Sequence, residues 1–233
     1  MRAMSEDAPW ARTAGVGRPL LIACDFDGTI TRQDTLVEIL DRYGSSGWAK
    51  IQARVVSGEI SIREGLSSEM QSVQATREQI QQLLSARIEM DPTFPDFFHT
   101  MRRQGIPLVI LTGGFDLCVE TVFKKSGLWP VPLLSNRLRL NEGCWQVDFP
   151  YASARCESCG HCKGDSVRNW VRRGHATVFI GNGVTDRCAA EAAELTFAKD
   201  ELGTWCRKRG IPAVPFETFT DIHQELKKRQ WLS

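Results

Sequence analysis

Apolar positions follow two rhythms along this chain, and the switches between them lay out the fold. Leu20–Cys24 is a continuous apolar run of strand length behind Pro19, the pattern of a strand buried on both faces. After Thr31 the period becomes helical and stays so to about residue 90. Leu36, Ile39 and Leu40 share one face before Tyr43-Gly44-Ser45-Ser46-Gly47 ends that helix, and Trp48, Ile51 and Val55 begin a second that stops at Ser57-Gly58. Ile62 and Leu66 belong to a third, with Ser61 placed as its N-cap. Thr76, with Gln79 three residues on, reads as a capping box opening a fourth through Ile80, Leu83, Leu84 and Ile88.

Asp91-Pro92 closes that block. Phe94, Phe97, Phe98 and Met101 make an amphipathic helix ending at Gln104-Gly105, and Ile106-Pro107-Leu108-Val109-Ile110-Leu111 is a second buried strand. A turn Thr112-Gly113-Gly114-Phe115-Asp116 leads into a helix over 116–126. Residues 131–134 read as a strand. Residues 137–140 and 145–149 read as a separate hairpin joined at Asn141-Glu142-Gly143. A helix over 166–173 and a buried strand, Thr177-Val178-Phe179-Ile180, follow; then come a helix over 187–194, a strand Leu195-Thr196-Phe197-Ala198, and helices over 201–209 and 220–229. Strands alternating with helices predict an α/β fold, a Rossmann-like parallel sheet with helices on both faces. The division expected is a flexible leader over 1–18, a core of 19–33 and 91–233, and a helical insert over 34–90. The insert is either a small cap over the first strand's end or a set of extra helices beside the sheet.

Composition narrows the function classes. The 233 residues can bury a substantial core, and a net charge of +1 with 24% charged residues supplies no field for nucleic acid or an anionic membrane. No apolar run approaches the ~20 residues of a membrane span, and the first eighteen residues lack the apolar centre of a signal peptide. Cys24, Cys118, Cys188 and Cys206 stand singly in apolar or helical contexts, which fits a reducing cytoplasm better than a disulfide framework.

The chemistry concentrates at strand ends. Asp25-Phe26-Asp27-Gly28-Thr29 sets two carboxylates at the carboxyl end of the first strand, where open α/β sheets gather ligands. Carboxylates that close repel unless a cation sits between them, and Mg²⁺ is the natural hard cation. Thr112 with its glycines can offer a hydroxyl and backbone N–H groups to a phosphate. The next buried strand ends in Gly181-Asn182-Gly183-Val184-Thr185-Asp186, and Lys163 opens the preceding helix. The set meets the needs of phosphomonoester hydrolysis by a carboxylate nucleophile, in which metal and lysine offset anionic charge and a second carboxylate moves the proton.

These motifs resemble those of the haloacid dehalogenase superfamily, in order and over nearly the whole chain after Arg18: Asp25-Phe26-Asp27-Gly28-Thr29, Thr112-Gly113-Gly114, Lys163-Gly164, and Gly181 to Asp186. The resemblance implies that Asp25 is the nucleophile and Asp27 the general acid/base, whose backbone carbonyl also touches the metal. It implies that Thr112 and the Gly113 amide hold phosphate oxygens, that Lys163 neutralises nucleophile and phosphate, and that the insert is the cap of the phosphoserine-phosphatase-like subgroup. One position departs: the fourth motif usually opens Gly-Asp, and here Asn182 replaces that metal ligand. Weaker Mg²⁺ binding is expected, with Asp186 orienting Lys163 or metal-bound water from behind; the chain is expected to be an active phosphatase, the alternative being an impaired relative that binds a phosphorylated ligand without turnover.

Within the subgroup, Ile60-Ser61-Ile62-Arg63-Glu64-Gly65, Ile106-Pro107 and the Cys-rich approach to Lys163 resemble methionine-salvage phosphatases acting on 2-hydroxy-3-keto-5-methylthiopentenyl-1-phosphate. The partner implied is a small phosphorylated metabolite. Asp34 sits where relatives place an acid for a substrate amine, but Ser67, Ser68 and Glu69 stand where phosphoserine would need an arginine. A thioether needs only an apolar wall, for which Leu36, Trp48, Ile51 and Met70 are the candidates. Cys156, Cys159 and Cys162 leave three readings open: a structural Zn²⁺ site completed by Cys144 or His161, a redox pair, or a thiol-rich loop. The oligomeric state is open too, a homodimer included.

Overall fold

The computed structural model describes residues 17–156 and 158–232, so residues 1–16 of the expected leader lie outside the described residues. Among those described, β1 (Leu20–Cys24), β2 (Leu108–Phe115), β3 (Leu133–Asn141), β4 (Cys144–Asp148), β5 (Ala176–Gly181), β6 (Leu195–Ala198) and β7 (Val214–Pro215) form one sheet in the order β4-β3-β2-β1-β5-β6-β7. All neighbours pair in parallel except β3 with β4. The α/β class and the mostly parallel sheet are as the alternation of apolar runs predicts.

Between β1 and β2 the chain makes α1 (Thr35–Tyr43), α2 (Trp48–Val56), α3 (Ile62–Gln71), α4 (Arg77–Arg87) and α5 (Phe94–Arg103). After β2 come α6 (Asp116–Lys125), α7 (Lys163–Arg172), α8 (Arg187–Ala192), α9 (Asp200–Arg209) and α10 (Phe219–Lys228). The pleat of β1 sorts the two halves of the core. Leu20, Ile22 and Cys24 face a layer built from α5, α6 and α10, while Leu21 and Ala23 face α7, α8 and α9. The first layer runs on without a break into the insert, because Leu66, Met70, Ile80 and Leu84 belong to the same buried cluster as Phe26, Ile30, Phe115 and Trp145.

Local chemistry explains where the inserted helices start. Asp34 caps α1 by accepting from the Leu36 and Val37 amides. Ser61 and Thr76 head reciprocal capping boxes with Glu64 and Gln79.

Most boundaries fall within two residues of those expected, and three differ by more. β2 runs on to Phe115 instead of ending at Leu111, with its pairing to β3 irregular between Leu111 and Phe115. The strand expected over 131–134 and the first arm of the hairpin are one strand, β3, because no turn residue interrupts Leu134-Ser135-Asn136. Its first half pairs with β2 and its second half with β4, so the hairpin projects past the carboxyl end of the sheet. There β4 packs against α3, and the buried Trp145 donates its indole N–H to the Ala75 carbonyl at 3.0 Å. Finally, α7 begins at Lys163 rather than Ser166, and β7 and a 3₁₀ turn over Val184–Asp186 carried no periodic signal to find.

Candidate active site

Three neighbouring parallel strands, β2, β1 and β5, deliver their carboxyl ends to one place. β1 hands its last hydrogen bond to Asp25, whose amide donates to the Ile180 carbonyl at 2.9 Å. The chain then turns sharply through Gly28 at φ +73°, where a Cβ would lie 2.3 Å from Asn182 Nδ2. Only glycine meets both demands, so Gly28 lets the two strand ends touch. The turn aims Thr29 back at its origin: its hydroxyl lies 3.1 Å from both Asp25 Oδ2 and Asn182 Oδ1 and donates to one of them at a time. Asp27 Oδ1 accepts from the Thr35 amide at 2.8 Å.

At the end of β2, the Thr112 hydroxyl accepts from the Gly114 amide at 2.9 Å, and Asn136 on β3 donates to the Gly113 carbonyl at 2.7 Å. A Cβ on Gly114 would stand 2.9 Å from Asp27 Oδ2, so that glycine lets β2 close on the first turn. At the end of β5, Asp186 Oδ2 accepts from the Asn182 and Gly183 amides, both at 3.0 Å, which shapes that loop. Lys163 reaches in from the first turn of α7. Its Nζ donates to Asp25 Oδ1 at 2.5 Å and to Asp186 Oδ1 at 2.6 Å, and all three side chains are buried.

This buried charge shifts the protonation of the groups around it. Burial and the negative charge of Asp186 push the Asp25 carboxyl up to about 6, with Lys163 offsetting only part. Burial opposes the charge on Lys163, but Asp186 and Asp25 outweigh it and hold the ammonium protonated. Burial, the nearby charge of Asp34 and, more weakly, that of Asp25 raise Asp27 to about 8, against the pull of the Thr35 amide. At neutral pH Asp27 therefore carries a proton it can give away.

Asp25, Asp27, Thr112, Gly113, Lys163 and Asn182 all line one cavity of about 260 Å³. Asp34 lines it as well, although its carboxylate is also occupied as the α1 cap. Leu36, Ile62 and Leu66 supply the apolar wall. Of the four wall residues expected, Leu36 alone is there; Trp48 and Ile51 do not reach the cavity, and Met70 is sealed in the core. The reason for Met70 is its position along the helix: the first two turns of α3 form the roof, and Met70, on the same face, lies a turn beyond. A larger hollow of about 530 Å³ by Gly105 and Pro132 has no acidic lining residue, so the chemistry lies elsewhere.

Sequence reasoning gave no role to Thr29 or Asn136, and weighed His161 only as a zinc ligand. His161 is buried, with Nδ1 3.0 Å from the Thr112 carbonyl and Nε2 2.9 Å from the Ser166 hydroxyl. A carbonyl can only accept, so Nδ1 carries the proton and Nε2 accepts from Ser166. Burial pushes this imidazole down to about 4. His161 is thus a neutral strut between β2 and α7, with both ring nitrogens engaged. Cys156, Cys159 and Cys162 are free thiols, and among the described residues no three His, Cys, Asp or Glu side chains are grouped to hold a metal ion. Burial raises the Cys156 thiol, but hydrogen bonds from the Cys159 and Ser158 amides and the neighbouring thiols bring it below the usual range. Burial and the Cys156 sulfur push Cys159 up to about 12.

Comparison with known proteins places this geometry in context. A profile of the haloacid dehalogenase-like hydrolase family matches residues 22–191. A Bacillus pumilus protein named 2-hydroxy-3-keto-5-methylthiopentenyl-1-phosphate phosphatase is 32% identical over 209 residues, covering 87% of this chain and 88% of that protein. A Bacillus cereus protein of the same name is 32% identical over 210 residues, covering 88% and 95%. Among solved structures, a phospho-aspartyl intermediate analogue of phosphoserine phosphatase superposes with a TM-score of 0.67 at 19% identity, covering 89% of this chain and 99% of that one. A phosphoserine phosphatase from T. onnurineus gives 0.65 at 15% identity, covering 89% and 94%. At those identities the structural likeness speaks for the fold alone.

Proposed function

The chain belongs to the haloacid dehalogenase-like hydrolases, and from that membership and the chemistry of the cavity we propose that it hydrolyses a small phosphomonoester through a phosphorylated Asp25. The observation that carries this reading is the buried Asp25 carboxylate, held between Lys163 Nζ and the Thr29 hydroxyl and sharing one cavity with Thr112. One Asp25 oxygen attacks phosphorus as the bond to the ester oxygen breaks. Asp27, protonated at neutral pH, gives its proton to that leaving oxygen. The Asp27 carboxylate then takes a proton from water attacking the acyl phosphate, which frees inorganic phosphate and restores Asp25. Thr112 and the Gly113 amide hold phosphoryl oxygens, Lys163 balances charge, and Asp186 keeps Lys163 in place.

A divalent cation fits this donor set. Asp25 Oδ2 and Asn182 Oδ1 converge on the Thr29 hydroxyl, and burial with neighbouring negative charge raises both aspartyl carboxyls. Asp25, the Asp27 backbone carbonyl and Asn182 would hold Mg²⁺ as an all-oxygen set. Bound there, it would supply Lewis-acid polarisation of the phosphoryl group. The amide at Asn182 leaves this set one negative charge short, so half-saturation requires more Mg²⁺ than it would after Asn182→Asp.

We further propose that residues 34–90 act as a cap over a core of 19–33 and 91–233, and that the substrate is a methylthio-ketose phosphate like that named for the Bacillus relatives. Leu36, Ile62 and Leu66 face the distal end of the cavity, and its described lining holds no cation but Lys163, which is engaged by two carboxylates. Phosphoserine would leave its carboxylate without a partner there, which favours an uncharged, apolar tail. The test is turnover of p-nitrophenyl phosphate and of a panel of phosphorylated metabolites with Mg²⁺. Hydrolysis should stop with EDTA and with Asp25→Asn; activity surviving Asp25→Asn sinks the mechanism. Preference for phosphoserine sinks the substrate assignment.

A further inference from the structure

We propose that Cys156 and Cys159 are a reversible dithiol–disulfide pair set into the seam between α3 and the cavity. The Cys159 amide donates to Cys156 Sγ at 3.4 Å, so the backbone of one cysteine already sits against the sulfur of the other. Cys156 and Cys159 are half-buried and reachable, whereas Cys162 is sealed at the head of α7, so the first two form the pair.

The loop carrying them is also the footing of α3. Arg63 donates through Nη2 to the Cys156 carbonyl at 2.9 Å and through its amide to the Ser158 carbonyl at 3.2 Å. The Ile62 amide meets the Ser158 hydroxyl at 3.5 Å. Those amides are first-turn donors that α3 cannot satisfy internally. Ile62 and Leu66 on that helix wall the cavity, Cys159 lines it directly, and Lys163 follows four residues later. Bringing the two sulfurs to the bonded distance of about 2.0 Å contracts the loop. The contraction moves the carbonyls on which Arg63 rests, and with them the roof.

Hydrogen peroxide is the oxidant. The Cys156 thiolate attacks one peroxide oxygen, the O–O bond breaks, and the departing hydroxide takes up a proton to leave as water. The resulting Cys156 sulfenic acid is attacked by Cys159, whose proton leaves with the displaced hydroxide as a second water. Two thiols and one peroxide thus become one disulfide and two waters. Dithiothreitol reverses the step by exchange, ending as its own cyclic disulfide.

The test uses the full chain, treated with hydrogen peroxide and then with dithiothreitol. Peptide mapping after alkylation should find a Cys156–Cys159 disulfide, with two hydrogen atoms lost from the intact mass, restored by dithiothreitol and absent from Cys156→Ser and Cys159→Ser. Amide exchange over residues 61–66 should change in the oxidised wild type alone. A disulfide through Cys162, oxidation of single thiols without a bridge, or stoichiometric zinc on the purified protein overturns the pairing. Unchanged exchange over 61–66 overturns its coupling to the roof. The activity readout rests on the phosphatase reading: p-nitrophenyl phosphate turnover should change several-fold on oxidation and recover on reduction. If neither redox form turns over that ester, the phosphatase reading fails while the mapping still decides the disulfide.

Discussion

Asp27 sets the pH behaviour of the site, because its carboxyl near 8 must be protonated to serve as an acid. Turnover should fall as pH rises through that value. Asp34 supports the elevation with its own charge, so removing that charge lowers the Asp27 pKa and moves the alkaline limb to lower pH. Asp34→Asn keeps a good helix cap, and a shift of up to about one pH unit in the kcat/KM profile is expected. A shift to higher pH would contradict the assignment. Gly28→Ala should be far more damaging than an ordinary surface change, because it sets a methyl against Asn182 at a positive φ. The expected result is loss of turnover together with a cost of about 1–3 kcal/mol in denaturant unfolding. The residues holding these groups were legible in the sequence, since short polar motifs behind apolar runs mark strand ends. The parts played by Thr29, Asn136 and His161 were not, because their partners lie far along the chain and nothing local says which carbonyl or carboxylate each will find.

At the scale of elements, the hairpin β3–β4 is the brace for the inserted helices. Trp145 is 1% exposed and ties β4 to the link between α3 and α4 through Ala75. Trp145→Ala should cost about 3–5 kcal/mol by cavity formation and the lost indole bond, measured as a fall in the urea midpoint. A thermal or chemical profile matching wild type would show that the brace is dispensable. Apolar periodicity was enough to find the helices and the buried parallel strands, because those elements bury a face that the sequence must spell out; the two-residue β7, which buries neither residue, it missed. It failed where pairing alone defines an element: β3 changes partner midway, and β2 continues through glycines that carry no apolar signal.

For the whole molecule, three carboxyls sit above their ordinary values: Asp25 near 6, Glu69 near 7 and Asp27 near 8. Burial is the main cause in each. The folded chain therefore binds more protons than the unfolded one, and the stability these groups contribute is present below their unfolded values and lost as pH rises through the folded ones. The metal-free protein should lose thermal stability from about pH 4, where the unfolded carboxyls ionise, up to about pH 8. Added Mg²⁺ should raise the melting temperature most at the alkaline end, where Asp25 and Asp27 are ionised, and the gain should vanish in Asp25→Asn. A Mg²⁺ effect that is flat with pH would point to binding elsewhere.

The unbroken apolar layer from the sheet into α3 and α4 limits how this protein can breathe. Lifting those helices as a flap would wet Leu66, Met70 and Ile80 together, so traffic is confined to rotamer changes at the rim, around Ile62 and Leu66. Crystals of the free protein should then tolerate soaking with phosphate or vanadate without cracking. Bulky esters should be turned away by size at the doorway, before any chemistry can discriminate among them.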